Sequence, residues 1–467
     1  MKDWFSVDTE GLKALQKGKP KTFIVRELVQ NAFDEKIKVC KLNIIQFKDK
    51  ITAVVEDDSP EGFKNLRDAY TLFGDTAKRR NLNQRGRFNI GEKQLIALCN
   101  KAMIKTTKGT ISFTESGRHE IEDKTEKGTI VTIEIDGTEQ EAEEMLNYAK
   151  TLLVPKYIFF EVNGEVIRYR EPVKTFEVSL LTEIQEEDNF LKRVTRKTKV
   201  NLVTEAETRL YEMGIPVMDI DCDYSIDVQQ KVPLSFDRDS VNETFMRELY
   251  AETLNNVYED VKEENSSAGW IRTAMMSKRI IKDAVDTILN KRFGDKFCVA
   301  NPFDRNSIDE AISKGYKVIT GREMSSEEWA NVKQFDAMQS SSDLFGTNFT
   351  NAEVVEPDEK QKQTADYARR IAKRFLGFDI AVRFVKGGEN MVAAQYGNRT
   401  MTFNVSQCGK DFFKEPISVR TSSIVIHELG HSAGQHTENS YHELLTKLGA
   451  ELIMLALKEP KFFEVRK

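Results

Sequence analysis

Four of the chain's five histidines, His427, His431, His436 and His442, fall within 16 consecutive residues. In the run TSSIVIHELGHSAGQH, His427 and His431 are spaced i, i+4. On a helix that spacing puts both imidazoles on one face, one turn apart, where they can share a metal ion. The apolar Ile424-Val425-Ile426 just before them marks a helix packed against a core. Glu428, beside the first histidine, is placed to draw a proton from a water at that metal. The pattern H-E-x-x-H thus predicts zinc on one helix and, through Glu428, hydrolytic chemistry.

The third ligand stays open on spacing alone. His436 lies five residues past His431, about 140° round an unbroken helix. It returns to the metal only if the helix ends at Gly434. The metzincin pattern needs its last histidine one position later, so that register is missed. The next helix, YHELLTKLGAELIMLAL, presents Glu443 and Glu451, as in the gluzincin arrangement. Over residues 360–467 the segment resembles the zinc domain of ArdC-type antirestriction proteins and, more loosely, ImmA/IrrE-type peptidases. That resemblance implies a carboxylate ligand at Glu443. His436, which the SprT/Wss-like peptidases favour, ranks second and Glu451 third. The strand NRTMTFNV before the helix is either an edge that could pair with an extended substrate backbone or a plain core strand.

Composition narrows the setting. With 40% hydrophobic and 31% charged residues the chain reads as globular, and no apolar run approaches the roughly 18–20 residues that span a bilayer. The opening MKDWFSVDTEG is polar and lacks a secretory h-region. Five cysteines without a C-x-x-C pair argue for a reducing compartment and against a thiolate zinc site. A cytoplasmic protein with no membrane partner is expected. The net charge of −6 gives no global basic field, so nucleic acid is possible through a local patch such as RRNLNQRGR but is not implied.

The N-terminal third carries a second set of signals. In RELVQNAFDE, Glu27, Asn31 and Asp34 are spaced i, i+4, i+7 and form one polar stripe on a helix. Asp57 ends the apolar strand ITAVVED. Gly86-Arg87-Phe88-Asn89-Ile90-Gly91 opens a helix where bare N–H groups can meet phosphate oxygens. Gly128-Thr129 leads into the strand IVTIEI. The four-residue gap between Gly86 and Gly91 matches a P-loop, but Glu92 stands where that loop needs lysine and would repel phosphate.

This ordered set resembles the GHKL ATPases, which include gyrase B subunits, large heat-shock chaperones, MutL and histidine kinases. The resemblance covers roughly residues 1–150 and implies ATP with Mg2+. It makes Glu27 the general base and Asn31 the magnesium ligand, with Asp34 completing the same box. Asp57 would read adenine, Gly86 and Gly91 would form the lid, and Thr129 the last box. The chain departs from the family where Ser59 replaces a glycine after Asp57, Gly62 comes late, and Asn89 occupies the lid's middle glycine. Gyrase- and MutL-type members also take a lysine to the γ-phosphate from their second domain. Here QQKVPLSFDRD offers Lys231, with Arg238 as the fallback.

The expected fold class is α+β, built of a GHKL-type sandwich at 1–150 and a transducer-like domain at 151–260. A small appendage at 261–337, a linker at 338–359 and a zincin-like domain at 360–467 follow. The leading functional expectation is a zinc metallopeptidase, acting on an unnamed protein substrate and gated by ATP-dependent homodimerisation. A non-proteolytic ATPase clamp on DNA or protein, with structural zinc, is the alternative. Processing of DNA–protein crosslinks is a third.

Overall fold

A computed structural model describes residues 8–14, 18–62, 65–72, 81, 84–86, 91–185, 191–235, 240–301, 305–345, 352–387, 392–397, 399–409, 411–434, 436 and 438–465. The fold is α+β. The chain forms two compact units, 1–249 and 250–467, each with its own sheets.

The first unit opens with helix α1 (Thr9–Ala14) and, after the break at Gly18-Lys19-Pro20, helix α2 (Thr22–Phe33). Ile24, Val25, Leu28, Val29, Ala32 and Phe33 recur at helical spacing along α2 and are all buried. The expected hairpin follows as β1 (Val39–Phe47) and β2 (Lys50–Asp57). Lys48 takes φ 57° in its turn. Alternation sends Cys40, Leu42 and Ile44 of β1, and Ile51, Ala53 and Val55 of β2, to one buried face.

Helix α3 (Gly91–Leu98) precedes strands β3 (Lys101–Thr106), β4 (Gly109–Thr114), β5 (Gly117–Ile121) and β6 (Thr129–Asp136). Helix α4 (Glu139–Thr151) starts at a capping box between Thr138 and Glu141. Strands β7 (Phe159–Val162) and β8 (Glu165–Ile167) complete an eight-stranded sheet in the order β5-β4-β3-β6-β2-β1-β7-β8. Its pairs are antiparallel except β1 with β7. Helices α2 and α4 bury their apolar sides on this sheet, Ala142, Met145 and Ala149 meeting the strand residues in one cluster. A fully buried Ile, Leu or Phe in such a cluster contributes roughly 1.5–3 kcal/mol.

A second sheet of this unit runs β12-β11-β13-β10-β9. Its strands are β9 (Lys174–Gln185), β10 (Leu191–Val203), β11 (Arg209–Glu212), β12 (Ile215–Asp219) and β13 (Ser225–Val228).

In the second unit, the stretch from Arg272 to Phe293 is divided between two helices, α5 (Gly269–Met275) and α6 (Lys282–Phe293). The short strands β14 (Phe297–Val299) and β15 (Lys317–Ile319) pair in parallel. Residues 338–359, expected as a linker, carry helix α7 (Ser341–Phe345) and strand β16 (Glu353–Val355). Strand β16 joins β17 (Ala381–Lys386), β18 (Ala394–Gly397) and β19 (Thr400–Asn404) in the order β16-β17-β19-β18. The strand read as either edge or core is therefore interior, and its hairpin partner β18 is the edge. A strong β-run is legible in sequence, but which member of a hairpin ends outermost is set by the crossover from β17 to β19, which pair in parallel.

Helix α8 (Glu359–Ile371) begins at a capping box of Asp358 and Gln361. Helices α9 (Val419–Gly430) and α10 (Asn439–Lys458) follow the sheet. The core between them holds Phe384 stacked on Phe403 at 5.6 Å, and Phe412 against Phe413 at 4.8 Å. Among the described residues no helix is long and apolar enough to cross a membrane.

Candidate functional site

Two constellations emerge, one in each unit. In the first, Glu27 lies on α2 and is 5% exposed. Arg26 Nε is 3.4 Å from its carboxylate. The first residue of α3, Gly91, packs so closely on Glu27 that a Cβ there would overlap the carboxylate. The helix N-terminus is thus held against an acid. Asn31 is half-buried one turn further along α2.

Asp57 sits at the end of β2, the strand next to β1. Its carboxylate accepts N–H bonds from Ser59, at 2.8 Å, and from Thr129. Burial raises its pKa to about 6 against the pull of those donors. Gly128, at φ +74°, donates its N–H to the Ser59 carbonyl at 2.7 Å. The boxes at Asp57 and Gly128-Thr129, 72 residues apart in sequence, are therefore one structure. Gly86 is placed before α3. Arg87, Phe88, Asn89 and Ile90, most of the basic run 79–87, and Arg238 lie outside the described residues.

Asp34 is placed differently from the expectation. It forms the C-cap of α2, its side chain fully buried, and Arg85 Nη1 lies 2.5 Å from Oδ1. The Arg85 backbone N–H reaches the same carboxylate at 3.1 Å. Asp34 and Arg85 thus tie the end of α2 to the loop before Gly86. Lys231 lies on a loop after β13 and is 2% exposed. Its carbonyl accepts the Thr182 hydroxyl at 2.7 Å.

In the second unit, α9 carries His427 and Glu428 and ends at Gly430, with His431 as its C-cap. The chain then turns, and His436 comes back onto the histidines. Ligand nitrogens of His427, His431 and His436 lie within 4.8 Å of one another, with His427 Nε2 3.2 Å from His436 Nε2. Glu443, ranked first on the resemblance, is not part of this cluster. In α10, Tyr441 and Leu445 approach Gly430. Glu443 is two residues from Tyr441, about 200° round the helix, and exposed. Glu451 lies 3.9 Å from Lys447, also outside the cluster. The helix simply stops four residues earlier than a turn-back at Gly434 required.

Tyr441 was not singled out by sequence. Its hydroxyl is 2.8 Å from His427 Nδ1 and 3.4 Å from the His427 carbonyl. Donating to the carbonyl, it can accept Nδ1–H and leave the Nε2 lone pair toward the other imidazoles. Burial raises the Tyr441 hydroxyl above its ordinary pKa, with the Glu428 charge adding to it. His442 bonds the His436 carbonyl at 2.7 Å and braces the return. Burial lowers His427 to about 4 and His436 to about 3, and lowers His431 as well. All three are neutral at pH 7 with lone pairs to offer.

One pair of the donors has the spacing a zinc ion would ask for. Two nitrogens about 2.05 Å from one tetrahedral ion stand roughly 3.3 Å apart, and His427 Nε2 is 3.2 Å from His436 Nε2, with all three imidazoles within 4.8 Å. Glu428, 7% exposed, adjoins the cluster as the one acid of the H-E-x-x-H turn.

No family model matches the chain, and no curated protein matches it. Among solved structures, the ATPase and transducer domains of DNA topoisomerase II from Balamuthia mandrillaris align with TM-score 0.29 and 14% identity, over 42% of this chain. The chain spans 59% of that structure's length. The ATPase region of Saccharomyces cerevisiae topoisomerase II, bound to dexrazoxane, aligns with TM-score 0.32 and 10% identity over 53% of this chain and 71% of that one.

Proposed function

We propose that the chain is a GHKL-type ATPase joined to a zinc metallopeptidase, hydrolysing a peptide bond in a protein substrate under nucleotide control. The observation that carries the peptidase half is the convergence of His427, His431 and His436, with the buried Glu428 next in sequence to His427. His427, His431 and His436 would hold the ion, three protein donors being the number that catalytic zinc sites use. When bound, zinc would supply Lewis-acid polarisation of a carbonyl and of water. Glu428 would serve as the general base toward the attacking water and as the acid toward the leaving amine. Tyr441 keeps His427 in the tautomer that binds metal. The free edge of β18 offers backbone groups to an extended peptide.

The ATPase half rests on Glu27 held against the start of α3, with Asn31 on the same helix and Asp57 joined to Thr129. In this reading Glu27 is the general base, Asn31 a magnesium ligand, and Asp57 the acceptor for an adenine amino group. Gly86 and Gly91 bracket the phosphates. Lys231 meets the γ-phosphate, and two copies close on ATP as a homodimer.

One experiment separates the halves. Zinc content, ATP hydrolysis and cleavage of a denatured-protein panel are measured on the full chain, Glu428→Gln and Glu27→Ala. Cleavage surviving in Glu428→Gln removes the peptidase, leaving a clamp with structural zinc. Cleavage that ignores ATP and Glu27→Ala removes the coupling.

A further inference from the structure

A line of buried polar groups leaves the nucleotide-site helix and ends at Lys231. At its start is Asp34, the C-cap of α2, whose carboxylate pairs with Arg85. The Arg85 guanidinium continues to the other sheet of the same unit. Its Nε donates to the Glu212 carbonyl at 3.2 Å and its Nη2 to the Met213 carbonyl. Glu212 ends β11, and its carboxylate accepts the Val232 N–H at 2.8 Å. Val232 is the next residue after Lys231.

The loop at the far end is fixed from several sides. The Gln229 N–H donates to the Lys199 carbonyl at 2.9 Å. Gln230 Nε2 donates to the Leu180 carbonyl at 3.2 Å, and the Lys231 carbonyl accepts from Thr182. Asp34, Arg85, Glu212 and Lys231 are each 5% exposed or less. Charged groups this deep keep their geometry only while every partner is present. Arg85 is also the residue immediately before Gly86. It thus joins the end of α2, the residue before Gly86 and the sheet bearing the lysine loop.

We propose that Arg85 is a positioning residue, a latch that transmits the state of the nucleotide site to Lys231 through Glu212. The proposal rests on the ATPase reading above. In it Arg85 touches no substrate. A shift of the Asp34 end of α2 with nucleotide is carried by the Arg85 guanidinium to the Glu212-Met213 turn and hence to the Val232 amide.

The test uses the full chain and the variants Arg85→Lys, Arg85→Leu, Glu212→Gln and Lys231→Ala, each checked by circular dichroism. The first readout needs no nucleotide: amide hydrogen exchange across 229–232. The latch predicts at least about tenfold faster exchange at Val232 in Arg85→Leu, with partial recovery in Arg85→Lys. Unchanged exchange overturns it. The second readout is ATP turnover. Arg85→Leu should lower kcat about tenfold or more while KM moves less than about threefold. Joining Arg85→Leu to Lys231→Ala should cost no more than Lys231→Ala alone, because both act on one step. Additive losses overturn the latch. Faster exchange together with no ATP binding by the unaltered chain upholds the mechanical link and overturns the nucleotide reading. Glu212→Gln retains the shape, so a loss of kcat there in a folded protein supports the route even if Arg85→Leu fails to fold.

Discussion

At the scale of single residues, the metal ligands make the sharpest expectations. His436→Ala should lose zinc, while Glu443→Ala should keep it, as metal analysis after dialysis will read. Tyr441→Phe removes the group that orients His427 and should weaken zinc by roughly 10–100-fold without unfolding the unit. Glu428→Gln should keep zinc and lose peptide hydrolysis by about 10²–10⁴-fold. In the first unit, Gly91→Ala would force a methyl group into the Glu27 carboxylate. ATP turnover should then fall as far as in Glu27→Ala, although alanine is the better helix former. Which of these residues were legible beforehand follows from the range of the interaction. His427, Glu428 and His431 declare themselves because i, i+4 is fixed by helix geometry. His436 did not, because its position depends on α9 stopping at Gly430. Asp34 was legible as part of a stripe, but its partner Arg85 lies 51 residues on and nothing local announces it.

Among the elements, local signals and tertiary ones separate cleanly. Helix α2, the β1–β2 hairpin and the strands β3, β4 and β6 were readable because each carries its own periodicity, caps or turn. The break between α5 and α6 was hidden. The apolar spacing continues across it, while Ser277 and Ile280 turn the backbone through carbonyls of Ala274 and Ser277. The place of β19 inside its sheet was equally hidden, since an interior and an edge strand can share one pattern. The element-level prediction concerns β18. A proline at Gln395 or Tyr396 removes a backbone donor at the proposed peptide-binding edge. At whichever of the two N–H faces outward, cleavage should fall through KM with zinc content unchanged. Steady-state kinetics on a peptide substrate will show it.

For the whole molecule, Asp57 in the first unit and the clustered histidines in the second respond to acid with opposite signs. Asp57 is raised from 3.8 to about 6 by burial. Between those values the folded state holds the extra proton, so its stabilisation is present at low pH and lost as pH rises through 6. His427 and His436 are lowered from 6.5 to about 4 and about 3 by burial. There the unfolded state holds the extra protons, so stability present above 6.5 is lost as pH falls toward 4 and then 3. Thermal unfolding with chelator at pH 7, 5.5 and 4.5 should therefore show the second unit weakening on acidification. His436→Ala should flatten that slope, and Asp57→Asn should alter only the first unit. Zinc should raise the unfolding temperature of the second unit alone, by mass action on its folded state.

The split of the three imidazoles between a helix and the segment beyond it bears on how the unit assembles. An isolated α9 offers two nitrogens, and the third arrives only after the chain has doubled back and α10 has docked. On the proposed zinc reading, tight metal capture is expected to follow that docking. Cobalt in place of zinc would colour the protein only once that docking is complete, giving an optical clock for the final stage of refolding.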